Sequence, residues 1–125
     1  IAAQGIRIMA NAGGVNPAGL GQILRARISE LGLNLKVAVI DGDGLMHRLG
    51  DFAKTCDMFN GHPFPTSGVT SANAYLGAFP IAQALAEGAD IVITGRVVDS
   101  ALALGPLWVR LADSVDAMTD WTPRS

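Results

Sequence analysis

Short runs of apolar, β-branched residues alternate along this chain with apolar stripes at three- and four-residue spacing. Ile6-Arg7-Ile8-Met9-Ala10 is compact and apolar and leads into glycine, which predicts a buried strand. Asn16-Pro17 then opens a helix, with Asn at the N-cap and Pro at the first helical position. Leu20, Ile23, Leu24, Ile28 and Leu31 give that helix one apolar stripe, and Gly32 stops it. Leu35 to Ile40 reads as a second strand, and Asp41-Gly42-Asp43-Gly44 as a turn. Leu45, Met46, Leu49 and Phe52 suggest a short amphipathic helix after it. Thr55 to Thr70 lacks periodicity and holds two prolines and two glycines. Such a loop covers or binds a ligand, or is a disordered insertion. Ala72 to Glu87 is helical in character, with Pro80 either kinking it or starting its main part, and Gly88 ends it. Asp90 to Thr94 is the third strand and Gly95-Arg96-Val97-Val98 a turn. Asp99 or Ser100 caps a last helix, with Leu104, Leu107, Trp108 and Leu111 on its apolar side and a possible bend at Gly105-Pro106.

Strands that alternate with helices, and that are apolar throughout rather than at every second position, predict an α/β fold. The expected architecture is an open, mostly parallel sheet with helices on both faces, Rossmann-like and three-layered, forming a partial domain. Residues 1–112 would form this α/β domain and 113–125 a polar tail or a truncated continuation.

Composition narrows the function classes. Half of the 125 residues are hydrophobic and 16% are charged, which excludes a disordered chain. A formal charge of −2 leaves no electrostatic footprint for nucleic acid. A single cysteine excludes a disulfide scaffold or a Cys-rich zinc module, and His47 and His62 are not spaced as a metal pair. No apolar run is long enough to span a membrane and no signal peptide is visible, so a cytoplasmic location is expected. A small molecule is therefore the expected partner, with a homo-oligomer or a partner enzyme also open. Composition leaves the cofactor unknown.

In an open parallel sheet, ligands bind beyond the carboxyl ends of the strands. Three segments reach that edge. In Asn11-Ala12-Gly13-Gly14-Val15-Asn16 two glycines precede a helix N-terminus, where free amides suit phosphate or carboxylate. The alternative is a tight turn with an N-cap. The spacing is neither G-x-G-x-x-G nor a P-loop. Asp41 and Asp43 follow the second strand: Asp41 could hold a ribose, the pair could hold Mg²⁺, or both could serve the turn, with Asp43 capping the next helix. Arg96 follows an apolar strand and a glycine. Buried there, its charge would call for an anion, or for Asp99 as an internal partner. Ser71-Ala72-Asn73-Ala74-Tyr75 offers hydroxyl, amide and phenol, either to a polar substrate or as a helix cap. His62, within the loop, is either a solvated residue or an acid–base group.

Three stretches together resemble the N-terminal domain of the acyclic terpene utilisation A family. They are Asn11-Ala12-Gly13-Gly14-Val15-Asn16-Pro17, then Ser71-Ala72-Asn73-Ala74-Tyr75-Leu76-Gly77-Ala78-Phe79-Pro80-Ile81, then Gly88 through Leu107 with Thr94-Gly95-Arg96-Val97-Val98-Asp99-Ser100 at its centre. After Leu107 the chain is expected to leave the family pattern. The resemblance implies a fragment of a longer protein of bacterial acyclic terpenoid breakdown (citronellol and geraniol type), a pathway that runs through CoA thioesters. The substrate would then be an acyl-CoA or a carboxylated isoprenoid acid, and the reaction a hydration or lyase-type step. In that reading Asn11, Gly13, Gly14, Asn16, Ser71, Asn73, Arg96 and Ser100 bind the ligand. Asp99, or else Asp41, is the acid–base residue, and the long loop covers the apolar tail. The alternatives are a non-catalytic binding or assembly module of the same pathway, or a nucleotide-binding domain.

Overall fold

A computed structural model describes residues 2–65 and 67–116, with side chains through Ala112. Three parallel strands, β1 (Ile8–Ala10), β2 (Val37–Ile40) and β3 (Ile91–Thr94), form a sheet in the order β1-β3-β2. Between and after them come α1 (Pro17–Glu30), a 3₁₀ helix at Met46–Phe52, α2 (Phe79–Ala86) and α3 (Ala101–Asp116). The last strand in sequence is thus the central one. All four of its residues are buried, which explains why it reads as an unbroken apolar run.

The register assigns the two faces. Met9, Ala38 and Val92 lie in one row across the sheet. They pack with Ile81 and Leu85 of α2 and Ala101 of α3 in the main core. On the opposite face α1 lies so close that a Cβ on Gly21 would collide with Val39. The expected three layers are present: α1, the sheet, then α2 with α3.

The Asn16-Pro17 signal is used as expected. Asn16 Oδ1 accepts the Gly19 amide at 2.9 Å, Pro17 is the first helical residue, and Gly32 (φ 63°) follows the helix end. Three expectations need correction. Ala72 to Ala78 is not helical: it is an extended strap, tied to residues 43–45 on one side and to 96–98 on the other. Leu45 N donates to Ala72 O, Ala74 N to Asp43 O, Leu76 N to Arg96 O and Val98 N to Leu76 O. The helix starts only at Phe79, with Pro80 in its first turn, so Ser71 to Tyr75 cap nothing. The side of α3 expected to be buried faces outward. Leu104, Leu107, Trp108 and Leu111 are all about half exposed or more, Leu111 reaching 61%. The helix packs instead through Ala101 and Gly105, because α2 comes so near that a Gly105 Cβ would sit 2.6 Å from Ile81 Cγ2. The Leu20 to Leu31 stripe is likewise only partly used, since Ile23 and the C-cap Leu31 are exposed and Pro17 and Gly21 are the buried positions of α1.

The 55–70 segment is less formless than its sequence suggests. Thr55 to Phe64 folds as a small hairpin-like excursion, closed by Phe64 N to Thr55 O at 2.9 Å and Asp57 N to His62 O at 2.8 Å. Asp57 Oδ1 caps its tip by accepting the Phe59 and Asn60 amides. α3 runs through residue 112 to Asp116, and the rest of the expected tail lies outside the described residues.

Candidate functional site

β1 and β3 are neighbours, yet the chain leaves them toward opposite faces of the sheet: β1 feeds α1, and β3 feeds α3. Their loops must diverge, and divergence opens a crevice at the carboxyl ends of the strands. This is the switch point at which doubly wound sheets bind ligands. A cavity of about 560 Å³ follows the outer edge of β2, but the crevice at the switch point is the one that gathers the residues singled out from sequence. Asn11, Gly14, Val15, Tyr75 and Gly95 through Ser100 line it, around about 400 Å³.

Each residue enters for a local reason. Gly13 is the packing glycine of the first loop. Its N–H donates to Thr94 O at 3.1 Å, and a Cβ there would collide with that carbonyl and with Pro17. Its amide is therefore committed to β3. Gly14 (φ 53°) turns the chain away from β3 and stands at the crevice wall with Asn11. Asn16 uses its side chain on α1 and does not line the crevice. Ser100 sits at the N-terminus of α3, its carbonyl accepting Leu104 N at 2.8 Å. Among the described residues its hydroxyl and the Asp99 carboxylate make no hydrogen bond, so both remain available to a ligand.

Arg96 has a fixed main chain and a free head. Its N–H donates to Asp43 Oδ2 at 3.0 Å and its carbonyl accepts Leu76 N at 3.0 Å. The side chain is exposed, so the argument from buried charge does not apply. The anticipated Arg96–Asp99 ion pair is not formed. Arg96 borders two hollows at once. One is the crevice. The other is a polar depression of about 350 Å³ formed with Ser71, Asn73 and Tyr75. An extended strap places every second residue on the same side, which brings Ser71, Asn73 and Tyr75 together.

The residue that sequence reasoning missed is Asp43. Expected either as a helix cap or as one of a Mg²⁺-holding pair with Asp41, it turns inward and is only 2% exposed, while Leu45 occupies the capping position of the 3₁₀ helix. Its Oδ2 accepts both Arg96 N–H and Asn73 Nδ2, the latter at 2.8 Å, and its carbonyl accepts Ala74 N. A Cβ on Gly95 would strike its Oδ1. Asp43 therefore ties the second loop, the strap and the third loop into one unit. The Asp-Gly-Asp-Gly pattern carried a hint, because Gly42 (φ 109°) makes the turn and leaves Asp43 free to point inward. Asp41 behaves differently. Its Oδ1 accepts the adjacent Gly42 amide, and it lines the groove beside β2. Gly14 and Asp41, the two residues that suggested a nucleotide, thus border different cavities. His62 is exposed on the hairpin, and no group of three metal-ligating side chains occurs among the described residues.

The family model described as acyclic terpene utilisation family protein AtuA matches residues 1–119. The chain belongs to this family. The match passes Leu107, which corrects the departure expected there, and α3 likewise crosses Leu107 without a break. No curated protein and no solved structure matches the chain. The AtuA family stretches around Gly13, Asn73 and Arg96 are thus the segments that meet at the carboxyl edge of the sheet. Among the described residues no helix is long and apolar enough to cross a membrane.

Proposed function

We propose that this domain binds the acid or thioester group of an acyl-CoA or carboxylated isoprenoid acid in the β1/β3 crevice and takes part in a hydration or lyase-type step there. The observation that carries this reading is Arg96: a guanidinium without a protein partner among the described residues, on a main chain held at both its N–H and its carbonyl. Such a head can grip a carboxylate or polarise a thioester carbonyl without reorganising the backbone. Asp99 borders the same crevice and is the acid–base residue in this reading. In hydration, its carboxylate accepts a proton from water as the water oxygen adds to the β-carbon of an α,β-unsaturated thioester. The electron pair moves onto the carbonyl oxygen facing Arg96, and the α-carbon then takes up the proton held by Asp99, which restores the carboxylate. Elimination of water is the reverse. Asp41, on a different cavity, has no part in this step.

The test is calorimetry and turnover with the full-length protein and a panel of unsaturated acyl-CoAs. Arg96→Ala is expected to weaken binding by about ten- to a hundredfold, and Asp99→Asn to retain binding while losing turnover. Unchanged affinity in Arg96→Ala rejects the assignment.

A second reading, as an assembly module of the same pathway, is supported by one observation: the outward apolar side of α3. Phe79 stacks edge-on against Trp108 at 5.3 Å, and Leu104, Leu107 and Leu111 extend the patch. Sedimentation of the full-length protein with and without Leu107→Glu tests it, since loss of an oligomer together with intact turnover would locate this face in assembly rather than chemistry.

A further inference from the structure

A third hollow adjoins the polar depression on the side away from the crevice. Leu45, Phe52, Phe64, Pro65 and Val69 wall it, and Ser71, Ala72 and Asn73 line its border, around about 390 Å³. Ser71 and Asn73 also line the polar depression, and that depression in turn shares Tyr75 and Arg96 with the crevice. The three hollows follow one another along the strap, and their chemistry is graded: charged at Arg96 and Asp99, neutral and polar at Asn73 and Ser71, apolar at the far end. No charged side chain lines the last.

The apolar walls do not belong to the main core. Leu45, Phe52, Phe64 and Val69 are half-buried and none joins the cluster around Val92 and Ile81. Phe52 and Phe64 meet with ring centres 5.6 Å apart, so the 3₁₀ helix and the hairpin are joined by this pair while room is left beside it. Its volume lies within the range of roughly 300–1,000 Å³ usual for small-molecule pockets. Asn73, at the junction, is fixed by Asp43, the same carboxylate that fixes Arg96. One buried group therefore sets the spacing between the charged end and the apolar end.

We propose that this hollow holds the aliphatic chain of the ligand whose head group Arg96 binds. The proposal rests on the reading of Arg96 given above. It makes Phe52, Phe64 and Val69 the residues that select for chain length, and it makes an acyl chain attached to a carboxylate or thioester the ligand chemistry.

The test is calorimetry on the full-length protein with butanoate, hexanoate, octanoate and decanoate, and with the CoA thioesters of the same acids. Affinity should rise about fourfold per added methylene until the hollow is full. Val69→Trp, which fills the hollow, should remove that rise. Phe64→Ala, which removes a wall, should flatten the rise independently. A rise confined to the thioesters supports the tail site and names the thioester carbonyl as the head. A flat series in the wild type, with butanoyl binding still lost in Arg96→Ala, overturns the tail site and leaves the Arg96 reading standing. A steep series that neither Val69→Trp nor Phe64→Ala alters also overturns it, since the chain then lies elsewhere. A steep series in which Arg96→Ala changes nothing rejects the head assignment and, with it, the link proposed here.

Discussion

The β1–α1 and β3–α3 units follow one plan: a short parallel strand, a glycine loop, and a helix whose buried side is made of small residues, Pro17 and Gly21 in one and Ala101 and Gly105 in the other. They differ in what the loop glycine makes room for. Gly13 lets the first loop press against β3, and its amide is consumed by Thr94. Gly95 leaves space for a buried carboxylate, which then holds the main chain of the next residue. The helix starts differ in the same sense. α1 is capped by the side chain of Asn16, whereas the Ser100 hydroxyl at the start of α3 makes no bond within the described protein. The first loop spends the Gly13 amide and the Asn16 side chain on the fold and leaves only Asn11 as a polar side chain at the crevice; the second leaves Arg96, Asp99 and Ser100 there. Two loops of like plan thus serve as wall and as working surface.

Substitutions can break or sharpen that contrast. The largest effect is expected from Gly95→Ala, which forces a Cβ into Asp43 and disturbs both hydrogen bonds to it. It should cost about 3 kcal/mol in urea unfolding and weaken ligand binding as well. Gly13→Ala meets backbone at Thr94 and should cost about 2 kcal/mol, with much less effect on binding of the folded fraction. If both variants lost affinity equally, the contrast between the loops would fail. Arg96→Ala should invert the pattern: a loss of affinity of about ten- to a hundredfold, with stability within about 0.5 kcal/mol of wild type by the same denaturant titration. Asn16→Ala removes a side-chain cap and should cost about 1 kcal/mol. Ser100→Ala should change stability by less than about 0.5 kcal/mol, and any effect it has should appear in ligand affinity instead. A Ser100→Ala cost as large as that of Asn16→Ala would show that the two helix starts work alike.

The parts of the fold visible in the sequence are those with local causes. Asn16-Pro17, the apolar run at Ile91–Thr94 and the stop at Gly32 each act within a few residues, and each is found where the pattern places it. The strap was misread because Ala72, Ala74 and Ala78 favour helix locally, while its hydrogen bonds go to residues 43–45 and 96–98, which no window around it contains. The side of α3 was misread because large apolar residues outrank small ones in any periodicity count, whereas close contact with α2 selects Ala101 and Gly105. The meeting of Asn11, Gly14 and Arg96 followed from the parallel topology and was foreseeable. Asp43 was not, because its partners Asn73 and Arg96 lie on other loops, 30 and 53 positions away.

The placement of β3 also bears on the order in which the molecule can assemble during synthesis. β1 and β2 never touch as sheet neighbours; each pairs only with β3. Of the three strands described, a chain that has emerged as far as Asp90 holds only β1 and β2, which do not pair with one another. Four residues, Ile91 to Thr94, join these two ribbons into a sheet, and until they leave the ribosome the backbone groups of β1 and β2 that they pair stay open to whatever else is nearby.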